Sequence, residues 1–506
     1  MARAIVVGAG LGGLTAAIRL AARGWDVTIY EKNADPGGRA GGISAGGYTW
    51  DAGPTLIMMP EILQELFAAA GRQLEDYLDL RRVDPYYRVA FEEGGHLDLT
   101  GNLPAMVAAV EAIEPGAGRR YLRFFGHAER LSRLTRGSII ERPFNGIRDL
   151  LNPAVLASLL RSRPFHTVAS EVAAHFRSSA LRRAFSFQTL YLGTSPDRTP
   201  AAYLMIPFVE AALGVWYPIG GTRQIGQAMA RLARELGVTV RTGAPVARIL
   251  TVSGRAVGVA LEDGTTDRAD AVVANAEWAY TQRLLLDAGE RVLQRDHGAS
   301  AVLFCLAVRG EIAGPHHTFL LSADFEGNLA DIFERRVVPE HPSIYLCRPT
   351  ATDPTLAPAG VELLYVLVPC PIQGGIDWGR ELPGLRKKVL DRLGSVGIAD
   401  LDRRILAETA VTPEDFKARH NLTHGSAFGM AATLLQSGPF RPTIRSRRYR
   451  GLYHVGASVH PGGGVPIVAL SGRMAADAIE ADLLPANRRR RAAEPEPTEQ
   501  AWSASS

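Results

Sequence analysis

The stretch from Arg3 to Glu31 constrains the fold more than any other part of the chain. Arg3–Val7 is a short β-branched run ending at Gly8, and Leu11–Arg23 follows as a helical segment. Gly24 stops that helix as a C′ glycine does, and Asp26–Tyr30 alternates as a second strand that delivers Glu31 at its end. Strand, glycine turn, helix and strand within about thirty residues make a βαβ unit. At its turn, Gly8-Ala-Gly10-Leu-Gly12-Gly13 satisfies G-x-G-x-x-G, with Gly8, Gly10 and Gly13 in the three glycine positions. The first glycine permits the tight turn, the second lets backbone approach a pyrophosphate, and the third packs helix onto strand. The N–H groups and dipole of the helix start favour the anion, and Glu31 falls where an acid hydrogen-bonds a ribose 2′-hydroxyl. A Rossmann-type dinucleotide site in an α/β fold is the expectation.

That motif serves NAD and FAD alike. The next segment, Pro36-Gly37-Gly38-Arg39-Ala40-Gly41-Gly42, points to FAD. Its glycines allow close backbone approach, and Arg39 can meet phosphate or the flavin edge through charge-assisted hydrogen bonds.

From about Leu80 to Gly214 the pattern changes. Glu61–Ala70, Leu103–Ile113 and Tyr121–Arg133 read as helices, and helical patterns continue to Phe187. Alternating strands and helices return near Gly220. Gln224–Gly237 reads as a helix, Val238–Arg241 as a strand, Val246–Val252 with Ala256–Glu262 as a hairpin, and Asp270–Ala274 as another strand. Ala301–Val308 and Glu362–Val368 are apolar strand candidates for a second sheet, and Leu452–Val455 leads through Gly456 into a final helix, Ile467–Leu483. At 506 residues the chain is long enough for two or three domains. The order fits an FAD-binding domain built from 1–75, 215–298 and 430–485, interleaved with an α+β substrate domain from 76–214 and 299–429. The tail 486–506, rich in Arg, Pro, Glu and Ser, is expected to be disordered.

Composition excludes several classes. A 46% hydrophobic and 21% charged chain is an ordinary globular protein, and a net charge of +4 gives no reason to expect a nucleic-acid partner. Three widely spaced cysteines, Cys305, Cys347 and Cys370, argue against a disulfide framework and a zinc ribbon, and no metal site is expected. Cys305 sits in an apolar run as a buried, inert thiol would. No leader-like segment precedes the first strand, and nothing reaches the ~18 uninterrupted apolar residues of a spanning helix, so a cytoplasmic location is expected.

The motifs together resemble the bacterial-type phytoene desaturases, the carotenoid branch of the flavin amine oxidase-like superfamily. The resemblance rests on VVGAGLGGLTAAIRLAARGWDVTIYEKNADPGGRAGG, GYTWDAGPTLI at Gly47–Ile57, RRAFSFQTLYLG at Arg182–Gly193 and GVWYPIGGT at Gly214–Thr222. Narrowest is GLYHVGASVHPGGGVPIVALSGRMAADAI at Gly451–Ile479. The resemblance implies a GR2-like FAD domain in which Gly8, Gly10, Gly12, Gly13, Glu31, Gly38 and Arg39 hold the ADP half. It places Val246 at the adenine, Asp51 and Gly53 beside the flavin, and Gly456, Val465, Pro466 and Ile467 against the isoalloxazine.

It also implies the chemistry: double bonds inserted into an acyclic carotene such as phytoene, with oxygen or a quinone as final electron acceptor. The cofactor carries the difficult step, so no Ser-His-Asp set or metal cluster is required. For the proton released, Asp149 beside Arg148, and His460 in the C-terminal block, are candidates. C30 desaturases, 3,4-desaturases, ketolases and isomerases share these blocks. An amine oxidase or a non-catalytic FAD-binding protein fits the C-terminal block less well. A hydrocarbon substrate resides in the bilayer, so peripheral docking on a membrane surface is expected. Asn152–Phe165 is the candidate segment, with Val155, Leu156, Leu159 and Leu160 on one helical face; the Arg488–Arg491 run could touch anionic lipid.

Overall fold

The computed structural model describes residues 1–144, 146–287, 295–372 and 374–483; the sequence readings for 486–506 and for Arg488–Arg491 lie outside them. Its first sheet is assembled from three distant parts of the chain. β1 (Arg3–Val7), whose Ala4, Ile5 and Val6 are fully buried, pairs in parallel with β2 (Asp26–Tyr30) on one side and with Ala271–Ala274 on the other. Thr239–Arg241 extends the sheet beyond β2, and Leu452–His454 closes it beyond Ala271–Ala274, all in parallel. A strand buried on both faces reads as a continuous apolar run, as AIVV and AVVA do here.

Between β1 and β2, α1 (Leu11–Ala22) is buried from Leu11 to Leu20. It packs against Glu61–Ala69, Arg223–Glu235 and the final helix Val465–Leu483. Leu14, Ile18 and Leu20 are wholly enclosed there, each contributing about 1.5–3 kcal/mol. The helix ends where expected: Gly24 takes φ +85° and donates its N–H to the Ala21 carbonyl. The hairpin Val246–Val252/Arg255–Leu261, joined by Thr266–Arg268, forms a separate antiparallel sheet.

A second, seven-stranded sheet runs in the order Ile405–Val411, Ser300–Arg309, Val361–Cys370, Ile344–Cys347, His317–Leu321, Tyr87–Phe91, His96–Leu99. Its pairs are antiparallel except His317–Leu321 with Tyr87–Phe91. Five of these strands escape the sequence reading, the edge strand Ile405–Val411 among them. Tyr87–Phe91 and His96–Leu99 lie where mainly helical structure is expected; they form a hairpin turning at Gly94 and Gly95, both at positive φ. His317–Leu321 and Ile344–Cys347 are short and buried throughout, so they carry no alternation. The final helix starts at Val465, two residues before the expected Ile467, which puts Pro466 in the first turn where proline is tolerated. Among the described residues, no helix is long and apolar enough to cross a membrane.

Candidate active site

A cavity of about 690 Å³ joins the two sheets. Its glycine-lined part is made by the turn between β1 and α1, by the segment after β2, and by the start of the final helix. Gly8, Gly10, Gly12, Glu31, Gly38 and Arg39 line it from the N-terminal part of the chain. Gly53, Val246, Gly456, Val465, Pro466 and Ile467 line it from elsewhere. Gly13 lies beneath the wall: a β-carbon there would sit 2.4 Å from the Gly8 carbonyl oxygen, so glycine is what lets α1 rest on β1.

Several groups pin this region. Glu31 is 5% exposed. Its Oε2 accepts the Ala9 N–H at 2.7 Å and its Oε1 accepts the Asn33 N–H at 2.9 Å, so the end of β2 is tied to the glycine turn. Arg39 donates from Nη1 to the Ala427 carbonyl at 2.9 Å, and desolvation lowers its pKa below the ordinary arginine value while Glu277 opposes the shift. A β-carbon on Gly38 would lie 3.1 Å from the Gly10 α-carbon, and one on Gly53 would lie 2.4 Å from the Arg39 carbonyl oxygen. The wall is thus backbone against backbone.

Asn275 was missed by the sequence reading. It follows the strand Ala271–Ala274, donates from Nδ2 to the Gly8 carbonyl at 3.2 Å, and packs within reach of Gly10, Gly12 and Gly456. A polar residue just past the carboxyl end of a parallel strand beside β1 was the available signal, because ligands of such sheets bind at that edge.

Other candidates lie off the cavity wall. Asp51 is buried behind it, its carboxylate accepting from the Tyr217 hydroxyl at 3.1 Å and the Arg223 N–H at 3.2 Å, with burial raising its pKa. It ties Tyr48–Asp51 to Val215–Pro218 and to the start of Arg223–Glu235. Arg148 is exposed, and Asp149 accepts the Gly146 N–H at 3.3 Å at the start of the short helix Ile147–Leu151; neither lines the cavity. His460 is fully enclosed, donating from Nε2 to the Arg142 carbonyl at 2.8 Å with its ring set edge-on to Phe144. Burial lowers its pKa to about 4, so it is neutral near pH 7 and acts as a clamp beside the cavity. The structure therefore does not bring Asp149, Arg148 and His460 together at the wall.

Beyond the glycine-lined part the wall becomes apolar. One face of the seven-stranded sheet supplies Leu303, Phe319, Leu321 and Leu367, and Met205, Ile206 and Val209 of the helix Met205–Leu213 also line it. Helix Pro153–Arg161, capped by the Asn152 side chain on the Ala154 N–H, borders the cavity too. The expected single apolar face on this helix is split. Val155 is buried and Leu159 lines the cavity, while Leu156 and Leu160 turn outward, 43% and 58% exposed. One further grouping was not expected from sequence: His316, His317 and Cys347, all buried, bring a nitrogen or sulfur atom each within 4.8 Å of one another. The strand pairing His317↔Cys347 creates it.

Residues 11–480 match the family described as flavin containing amine oxidoreductase. The chain belongs to that family. It is a flavin-dependent oxidoreductase, and its relatives include carotenoid desaturases. This flavin oxidoreductase is 43% identical over 484 residues to a zeta-carotene-forming phytoene desaturase of Myxococcus xanthus, covering 94% of this chain and 93% of that one. It is 37% identical over 489 residues to a carotenoid 3,4-desaturase of Haloarcula japonica, covering 94% and 98%. Among solved structures, an oxidoreductase from Methanosarcina mazei superposes with a TM-score of 0.65 at 18% identity, covering 94% of this chain and all of that one, a likeness of fold.

Proposed function

We propose that this flavin oxidoreductase binds FAD and desaturates an acyclic carotene, phytoene first, towards neurosporene or lycopene. The observation that carries the reading is the continuity of one cavity from a glycine-built cradle to an apolar sheet face. The carotenoid desaturases among its relatives support the same substrate class. A polyene has no polar group for a site to grip, so shape, apolar contact and water exclusion must position it.

The cradle fits a flavin dinucleotide. Gly10 and Gly38 approach so closely that a side chain on Gly38 would crowd the Gly10 backbone. Glu31 stands at the end of β2, and two helix N-termini, those of α1 and Val465–Leu483, open on the same cavity. In this reading Gly8, Gly10, Gly12, Gly13, Glu31, Gly38 and Arg39 hold the ADP half and Val246 borders the adenine. Gly53, Gly456, Val465, Pro466 and Ile467 border the ring system, and Asp51 fixes that wall from behind. When bound, the flavin supplies hydride acceptance from an allylic C–H, and oxygen or a quinone takes the electrons on. The protein's own residues orient the chain, keep water out and receive a proton. The same division assigns 1–75, 215–298 and 430–485 to the cofactor and 76–214 with 299–429 to the substrate.

The substrate reaches the cavity from a membrane surface in this reading. Leu159, Ser162, Pro164 and Leu434 line the cavity, while Leu160, Phe165 and Leu435, next to them in sequence, and Leu156, three residues before Leu159, are exposed. Phe165 and Leu435 are 83% and 70% exposed. An apolar rim at a cavity wall is what a peripheral protein needs to take a hydrocarbon from lipid.

The test is to incubate the purified, flavin-loaded protein with phytoene in liposomes under oxygen or with a quinone, and to record product absorption spectra. New conjugated-polyene bands support the reading. Unchanged spectra with phytoene and with a C30 analogue, while the flavin of the same preparation is reduced by an amine, would replace it with an amine-oxidase activity.

A further inference from the structure

We infer that Tyr345, backed by His317, takes up the proton released when the double bond forms, an inference that rests on the desaturase reading above. Converting CH–CH to C=C removes two hydrogens. One leaves with its electron pair as hydride, for which a bound flavin would be the acceptor. The other leaves as a proton, and the electrons of its C–H bond become the new π bond. A hydrocarbon has no group of its own to hold that proton.

Three side chains from separate elements meet beside the Gly53 wall. Thr55 Oγ1 lies 2.6 Å from Tyr345 Oη, which lies 2.7 Å from His317 Nδ1. Thr55 and Tyr345 both line the cavity, whereas His317 stands behind them, fully enclosed. The direction of the chain depends on the imidazole tautomer. Burial, together with neighbouring His316, holds the His317 pKa well below the ordinary histidine value, so the ring is neutral, and in the tautomer that carries its proton on Nε2 the Nδ1 atom accepts the Tyr345 proton. The Thr55 hydroxyl then donates to Tyr345 Oη. Phe319, its ring stacked at 4.6 Å between centroids, fixes the phenol plane.

Proton transfer along this chain balances. The substrate proton bonds to Tyr345 Oη as the phenolic proton passes to His317 Nδ1, leaving a neutral tyrosine and an imidazolium. A carbon next to a developing allylic cation is a strong acid, so a weak buried base suffices, and a desolvated imidazolium gives the proton up again readily. Neighbouring groups are less suited. The Tyr365 hydroxyl donates to the Gly53 carbonyl at 3.1 Å, which commits its proton to backbone. Burial pushes the Cys347 thiol up and keeps it protonated, and Glu210 sits behind Tyr87, off the wall.

The experiment compares wild type, Tyr345→Phe and His317→Gln, each purified with flavin, for flavin content, melting temperature and single-turnover desaturation of phytoene. The phytoene carries either hydrogen or deuterium at the carbon that loses the proton. Tyr345→Phe is expected to keep its flavin and melting temperature, to lose about 100-fold in rate, and to show a larger isotope effect than wild type. A purely structural role for Tyr345 would not change that isotope effect. His317→Gln is expected to shift both readouts in the same direction, and it serves as the test if Tyr345→Phe loses flavin. Variant rates within about threefold of wild type, with the isotope effect unchanged, overturn the inference while leaving the desaturase reading intact. A wild-type protein inert on every acyclic carotene sinks that reading and this inference with it.

Discussion

Gly472 of the final helix lies against Gly12 of α1 so closely that a β-carbon on Gly472 would sit 2.5 Å from the Gly12 carbonyl oxygen. The same β-carbon would lie 2.6 Å from Thr15 Cβ and 2.9 Å from the Ala16 nitrogen. Two helices that begin at opposite ends of the chain can therefore cross with their backbones in contact. Their N-termini open on one cavity as a result.

Gly472→Ala is expected to destabilise the protein by about 1–3 kcal/mol, because the atoms in the way are mostly backbone and cannot rotate aside. Flavin should be lost more readily as well, since both helix starts line its proposed site. Gly384→Ala, at an exposed position of the helix Trp378–Ser395 where an added β-carbon meets nothing within 4 Å, should be neutral or stabilising by up to about 1 kcal/mol. Urea unfolding of the two variants checks the contrast; equal stabilities would contradict it.

Glu31 makes a second prediction. Its two carboxylate oxygens accept from Ala9 and Asn33, so Glu31→Ala removes the acceptor of a buried N–H in the glycine turn. Hydrogen bonds to a charged group are worth about 1.5–3 kcal/mol, so the variant is expected to lose stability on that scale and, as the glycine turn loosens, to release flavin more readily. Fluorescence of released flavin measures it, and an unchanged dissociation constant would remove Glu31 from cofactor binding.

The parts of this fold legible in sequence are those with a local signature. β1, α1 and β2 appear at almost their observed bounds because a glycine turn, a C′ glycine and an acid at a strand end mark them. Leu103–Ile113 is found at its observed limits for a similar reason, with Asn102 capping the Ala105 N–H and Pro104 in the first turn. What stays hidden depends on pairing between distant segments. His317–Leu321 becomes a strand through Tyr87–Phe91 and Ile344–Cys347, and only that pairing sets His317 beside Tyr345. Asp149 and His460 stand out as polar residues in suggestive local settings, yet neither reaches the cavity wall.

The outward row on Pro153–Arg161 gives a third prediction. Leu159 faces the cavity, so the membrane test belongs to Leu156 and Leu160. Leu156→Glu with Leu160→Glu should abolish flotation with anionic liposomes at unchanged flavin content, since each change replaces an insertable side chain with a charge repelled by the surface. Desaturation of phytoene dissolved in detergent should fall far less than desaturation of phytoene in liposomes. Undiminished flotation would place the membrane contact elsewhere.

The last prediction concerns acid. His460 titrates near 6.5 when unfolded and at about 4 in the folded protein, because burial disfavours its charged form. A depressed folded pKa means that the unfolded state binds the proton first. The stability is therefore complete above the unfolded value and is lost as the pH falls from about 6.5 towards 4. From this histidine alone the loss between pH 7.5 and 5 amounts to about 2 kcal/mol, and His454, also held at about 4, adds in the same direction. His460→Gln should be less stable at pH 7.5, since the Arg142 carbonyl loses a well-placed donor. Its stability should nevertheless fall about 2 kcal/mol less than wild type between those two pH values. Parallel urea titrations at both pH values decide the matter, and identical slopes for the two proteins would show that His460 is not the buried neutral clamp its surroundings require.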